Sequence, residues 1–167
     1  GLQPQPTDSA GRVGATMSST HYTFYPSNLI NGVTSTSCTS PYAPGCPGST
    51  GSSGSYTSET DPFAQLDLGA LSDIGYIVFD ARSTFGTDAT VTGPHAAWLS
   101  DTATWTSSGS RCNLGDFPSS GTSLRIDCVG TAQYVTFILP GASRRFEAQE
   151  LTVYSCPSYP SPPQPPH

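Results

Sequence analysis

The amino-acid sequence predicts an all-β domain, an antiparallel β-sandwich, on three observations. Apolar and polar residues alternate over short runs, as in residues 63–68, where Ala64, Leu66 and Leu68 share one face and Phe63, Gln65 and Asp67 the other. These runs are rich in β-branched and aromatic residues and are separated by clusters of Gly, Pro, Ser and Asp. No long segment carries the 3.6-residue periodicity of an amphipathic helix. Six or more short strands with no long helix bury their apolar faces by stacking one sheet on another.

In chain order, residues 1–11 are punctuated by Pro4 and Pro6, nearly devoid of apolar side chains, and read as a linker. The folded domain spans residues 12–156. Its predicted strands are 63–68, 74–80, 96–100, 124–127, 133–139 and 150–154. Residues 34–60 are a long Ser/Gly/Pro-rich excursion, the kind of loop that on a β scaffold carries function or is simply tolerated. Residues 157–167 hold six prolines, each fixing φ and removing a backbone donor, and favour an extended polyproline II spacer. That tail resembles the hydroxyproline-rich spacers of plant and green-algal wall and flagellar-surface glycoproteins; the plain alternative is an unmodified linker.

Composition narrows the function classes. The chain has 167 residues, enough for one core. All six basic residues are Arg, and twelve carboxylates bring the net charge to −6, so a nucleic-acid partner is not expected, because phosphate binding needs clustered cations. No stretch approaches the roughly 20 apolar residues of a spanning helix, so no membrane insertion is expected. The sequence opens without an initiator Met or a signal-like segment and reads as a processed protein or a piece of a longer one. No Asn-x-Ser/Thr sequon occurs, so any glycan carried would be O-linked.

Five cysteines in a small, Lys-free, Ser/Thr-rich chain point to an oxidising, extracellular compartment. No C-x2-C pair supports a thiolate metal site. Cys112 and Cys128 flank a turn-rich segment between two strand-like runs and are expected to pair. Cys38 and Cys46 close a short Pro/Gly loop and are expected to pair as well. Cys156 is left to pair between chains, to pair with a precursor segment, or to displace one partner of Cys38 and Cys46.

Four segments then fall in a familiar order: Ala-Thr-Met-Ser-Ser-Thr at 15–20, Pro-Ser-Asn-Leu-Ile-Asn-Gly at 26–32, Asp-Pro-Phe-Ala-Gln-Leu-Asp-Leu at 61–68 and Glu-Leu-Thr-Val-Tyr at 150–154. Over roughly residues 12–155 the chain resembles F-type (fucolectin-like) lectins and, more distantly, discoidin-type domains. The resemblance implies an eight-stranded galactose-binding-like jelly roll. Residues 134–141 are similar to a late strand of that family, and Cys112 and Cys128 fall where its members carry a disulfide.

The family's sugar site consists of a His, two Arg and an adjacent-cysteine disulfide. Arg82 stands at the first Arg, but Thr84 and Ala89 stand at the following Asp and the second cation, Ser55 at the His, and the adjacent cysteines are missing. Two lost cationic donors remove hydrogen bonds of about 1.5 to 3 kcal/mol each, which places ordinary fucose recognition in doubt. The candidate carbohydrate-binding set is Arg82, Ser55, Tyr56, Phe85 and His95, the aromatics covering a sugar's C–H face. The competing readings are a framework Arg82 paired with Asp80 or Asp88, and a turn position for His95. Arg144 and Arg145 are either contacts for acidic glycans or a solvated turn, and Trp98 reads as core.

The resemblance also implies a structural Ca2+ held by Asn28, Asn31 and Glu150 with backbone carbonyls, weakened because Asn31 and Val33 stand where the family has Asp and Asn. The alternative is that Asn31 and Gly32 merely form a turn. No Gly-x-Ser-x-Gly elbow or His-Glu-x-x-His helix is present, and Glu59 and Asp61 read as solvated loop charges rather than a glycosidase pair, so no catalysis is expected. The leading expectation is an extracellular glycan-binding module of a larger surface or matrix glycoprotein, contacting glycans or glycoproteins through residues near 34–60 and 82–95. The alternative is a structural module that has lost sugar binding and packs against neighbouring copies or proline-rich chains in an extracellular or flagellar-surface filament.

Overall fold

A computed structural model describes residues 14–20, 24–32, 46–50, 58–81 and 92–155, and statements of structure refer to these. The expected alternation builds strands, all paired antiparallel, and two of them are long enough to serve both layers of the sandwich. Strand β1 is Gly14–Met17, β2 Gly48–Ser49, β3 Phe63–Asp80, β4 Pro94–Ser100, β5 Ser110–Asp116, β6 Ser123–Ile138, β7 Glu147–Ala148 and β8 Glu150–Tyr154. A 3-10 turn, Pro26–Ile30, and a one-turn helix, α1 at Trp105–Ser108, are the helical elements.

The predicted strands 63–68 and 74–80 are one strand, β3, and 124–127 with 133–139 are one strand, β6. Gly69, Ser72 and Gly130 read as breaks in sequence, but Gly69 takes a left-handed φ of 78° while its N–H donates to Asp67 Oδ1 at 2.8 Å, so the chain bends. The β3–β6 register shifts there, between Asp67 and Ser72, and again between Ile74 and Tyr76, beyond which it runs unbroken to Asp80. The first half of β3 pairs with β1 and the second half of β6, which β4 and β5 extend. The second half of β3 pairs with β8 and the first half of β6. β5 was legible only as a strand-like run at Cys112, and β1 was not assigned bounds, because their small, polar and Gly-containing sequences carry little alternation.

Between the layers lie Leu66, Ile74, Ile77, Phe79, Ile126, Val135, Phe137, Leu151 and Val153, all essentially buried. At one end Phe79 packs against Phe117, Phe137 and Phe146 with ring centroids 5.2, 5.2 and 5.7 Å apart. This contact brings the Asp80 end of one layer over the Ile138 end of the other, so Asp80, Ser123, Glu150, Pro94 and Asp116 share one end, the upper end below. The bend at Gly69 and the chain from Ser100 to Ser110 form the lower end.

Trp98 is not core. In β4 the inward positions are His95, Ala97 and Leu99, so Trp98 faces outward, half-buried, against Trp105 of α1 at 5.4 Å. The same turn covers Gln65, whose Nε2 donates to Ala103 O and Thr136 Oγ1, both at 3.0 Å. Cys112 and Cys128 form a disulfide that ties β5 to β6. Cys46 is buried and disulfide-bonded, with its partner outside the described residues, where Cys38 and Cys156 also lie.

Candidate functional site

The upper end gathers residues that are far apart in sequence. Gly32 donates its N–H to Glu150 Oε2 at 3.1 Å, and Glu150 is paired with Asp80. Thr50 N donates to Phe146 O at 3.0 Å, Glu59 N to Arg144 O at 2.8 Å, Ala81 N to Thr122 O at 2.8 Å, and Gly93 O accepts from Phe117 N at 3.1 Å. Gly32, Thr50, Glu59, Ala81 and Gly93 therefore all lie at this single end. Arg82, Ser55, Tyr56 and Phe85 lie outside the described residues.

His95 lies within the strand, not in a turn. It is 4% exposed, its ring stacked on Phe137 at 5.5 Å and edge-on to Phe117 at 5.2 Å. Its Nδ1 has no hydrogen-bond partner. Burial pushes the imidazole below its usual range; Asp116 pulls it up through its charge and a backbone hydrogen bond, and Arg144 adds to the lowering.

The pair Arg144 and Arg145 is not a solvated turn. Arg144 is 6% exposed, and its Nη1 donates to Pro94 O at 2.9 Å and Pro140 O at 2.8 Å, which clamps the start of β4 to the chain leaving β6. Burial lowers its guanidinium from the usual range, against the pull of Asp116. Arg145 pairs with Glu147, Nη2 to Oε2 at 3.1 Å, both side chains largely covered. Asp61 and Ser143, non-glycine residues with φ of 52° and 57°, hold the neighbouring turn, where Gly141 N donates to Asp61 Oδ1 at 2.7 Å. Nothing in the sequence announces the Arg144 clamp, because its acceptors are backbone carbonyls, one of them on Pro94, 50 residues away.

The residues expected to hold calcium are brought near one another. The 3-10 turn ends at Asn31 and Gly32, Gly32 takes a φ of 76°, and its N–H meets the buried Glu150 carboxylate. Asn28 Nδ2 donates to Pro47 O at 3.1 Å, leaving Oδ1 as an acceptor. This donor set is all oxygen, with one carboxylate, which suits calcium in kind while giving it little charge. Among the described residues no group of three His, Cys, Asp or Glu forms a metal cluster, and no helix is long and apolar enough to cross a membrane.

No protein-family model matches the chain. No curated protein matches it in sequence. Solved structures do match in fold. The family 32 carbohydrate-binding module of Clostridium perfringens NanJ, in complex with galactose, is similar with a TM-score of 0.68 at 12% identity, over 92% of this chain and 99% of that one. A Streptococcus pneumoniae fucose-binding module is similar with a TM-score of 0.64 at 17% identity, over 84% and 89%. A fucolectin from striped bass (Morone saxatilis) serum is similar with a TM-score of 0.68 at 19% identity, over 92% of this chain and 47% of that one. At these identities the likeness establishes the fold: the chain is an antiparallel sandwich of the galactose-binding-like jelly-roll type, and its structural neighbours are carbohydrate-binding modules and lectins.

Proposed function

We propose that the chain is a non-catalytic, extracellular carbohydrate-binding module that contacts glycans at its upper end, with Arg82, Ser55, Tyr56 and Phe85 as the contacting residues and His95 as their buried support. The observation that supports this most is that Gly32, Thr50, Glu59, Ala81 and Gly93, which lie in or beside the two ranges named from the sequence, 34–60 and 82–95, are all at one end of a fold whose neighbours bind sugars. Ala81, the residue before Arg82 in sequence, is anchored by its N–H to Thr122 O. An Arg there supplies forked, charge-assisted hydrogen bonds to vicinal hydroxyls. The Cys112–Cys128 disulfide supports an oxidising compartment.

The same reading gives Glu150, Asn28 and Asn31, with nearby backbone carbonyls, the task of holding a calcium ion that fixes the 26–32 turn against β8. When bound, calcium supplies positive charge to a buried carboxylate and rigidity to the turn. A second reading, a structural module without sugar binding, is favoured by one observation: Arg144 and Arg145 both spend their guanidinium groups inside the protein.

A glycan array probed with the intact chain, multimerised and with or without calcium, separates the two. Binding that is lost in Arg82→Ala supports the module reading. Absence of signal across the array at high valency leaves the structural reading.

A further inference from the structure

At the lower end lies a cleft of about 280 Å³ between the end of β4, the start of β5 and the bend of β6. Its lining includes Leu99, Asp101, Ser110, Arg111, Val129 and Thr131. The volume sits near the small end of the range for small-molecule sites. Gly130 shapes the floor, since a Cβ there would lie 2.7 Å from Leu99 Cδ1.

The polar lining leaves part of its hydrogen-bonding capacity unspent. Asp101 and Arg111 carry opposite charges in one cleft, yet among the described residues neither forms an ion pair or a side-chain hydrogen bond. The other hydroxyls have already donated their protons: Ser100 to Thr102 O at 2.7 Å, Ser108 to Thr104 O at 3.0 Å and Thr131 to Asp73 Oδ1 at 2.7 Å. What they still offer is lone pairs.

The cleft therefore presents acceptors from Asp101 and these hydroxyls, donors from Arg111 and Ser110, and apolar surface from Leu99 and Val129, the latter 73% exposed. An anion would meet the Asp101 carboxylate and a ring of lone pairs. A cation would meet Arg111. A neutral polyol, whose every hydroxyl both donates and accepts, matches all of them, and an apolar C–H face matches Val129.

We propose that this cleft is a second ligand site, for a neutral pyranose unit. It stands independently of the upper-end reading, since β4's seven residues, at about 3.3 Å each, place it roughly 20 Å away. A domain with sugar sites at both ends bridges two glycan chains and gains avidity without any new contact.

The test is amide-resonance mapping of the intact chain titrated separately with methyl β-galactopyranoside, methyl α-fucopyranoside, methyl β-glucopyranoside and inorganic sulfate. The expected result is that at least one glycoside shifts Ser110, Arg111, Val129 and Thr131, and that Arg111→Met and Asp101→Asn each weaken that binding about tenfold or more without lowering Tm. Both residues are exposed, so neither change threatens the fold. The proposal is overturned if no glycoside moves these resonances, if sulfate moves them in place of the sugars, or if both variants leave the titration unchanged. Resonances of Ala81, Thr92 and Gly93 report the upper end in the same spectra, so the two sites succeed or fail separately.

Discussion

His95 is a titratable group placed where its charged form is poorly tolerated: stacked on Phe137, beside Arg144, with Nδ1 unpartnered. Its folded pKa lies below the ordinary 6.5, so the unfolded chain takes up the proton first as pH falls. Stability is thus fully present above about pH 6.5 and declines below it, by up to about 1.4 kcal/mol per pH unit, until the folded imidazole also titrates. Urea midpoints between pH 7.5 and 5 are expected to fall in the native chain and to flatten in His95→Gln. Arg144 makes the opposite kind of claim, a charge kept buried because two carbonyls need it. Arg144→Met leaves Pro94 O and Pro140 O without that donor and is expected to lower stability by about 2 to 4 kcal/mol, read from the same urea midpoints. A variant that lost glycan binding at unchanged stability would instead make Arg144 a ligand contact. The sequence showed both residues as candidates and misjudged the setting of each. Pro94 read as a turn whereas it opens a strand, and the doubled Arg read as solvent-facing because a guanidinium's backbone acceptors leave no pattern in the chain.

Elements were legible wherever alternation ran long enough to name a face. The whole of β8, from Glu150 to Tyr154, and the inward set Ala64, Leu66 and Leu68 of β3 are as the sequence predicts. The bends were not legible, because Gly69 and Gly130 punctuate a strand that turns a corner in the same way as they punctuate one that ends. Nor was the small β2–β7 ribbon, whose two residues a side are too few for any periodicity. That ribbon is held by close packing: Gly48 is buried, and a Cβ on it would lie 2.6 Å from both Cγ and Cδ2 of the fully buried Leu29. Leu29 belongs to the 3-10 turn that also carries Asn28, so this contact seats the turn. Gly48→Ala is expected to cost about 1 to 3 kcal/mol by overpacking, seen as a lower Tm, and to shift the resonances of Asn28 and Gly32. If calcium binds as proposed, Tm rises on adding it and falls with a chelator, the difference vanishes in Glu150→Gln, and in Gly48→Ala it shrinks because the turn is unseated.

At the scale of the whole molecule, sharing β3 and β6 between the layers couples the unfolding of one layer to that of the other. A sandwich of independent sheets can lose one while the other retains its hydrogen bonds. Here any opening of the β8 layer breaks the register of Ile77 with Ile126 in the same strands that hold Leu66 to Val135 in the other layer. The disulfide between Cys112 and Cys128 closes a loop of sequence separation 16, worth about 3 kcal/mol through the unfolded chain, and ties β5 to β6 without joining the layers by any new route. Replacing Cys112 and Cys128 together by Ser is therefore expected to lower stability by about that amount while leaving one transition. Both tryptophans, Trp98 and Trp105, sit on the β4 layer, so their fluorescence reports that layer alone. Amide exchange at Ile77 and Val153 reports the other. The two probes are expected to give the same unfolding free energy, in the native chain and in the double Ser variant alike. A β8 layer that exchanges at markedly lower free energy than the tryptophan transition would show that the bends at Gly69 and Gly130 act as hinges between two units, and the argument from shared strands would fail.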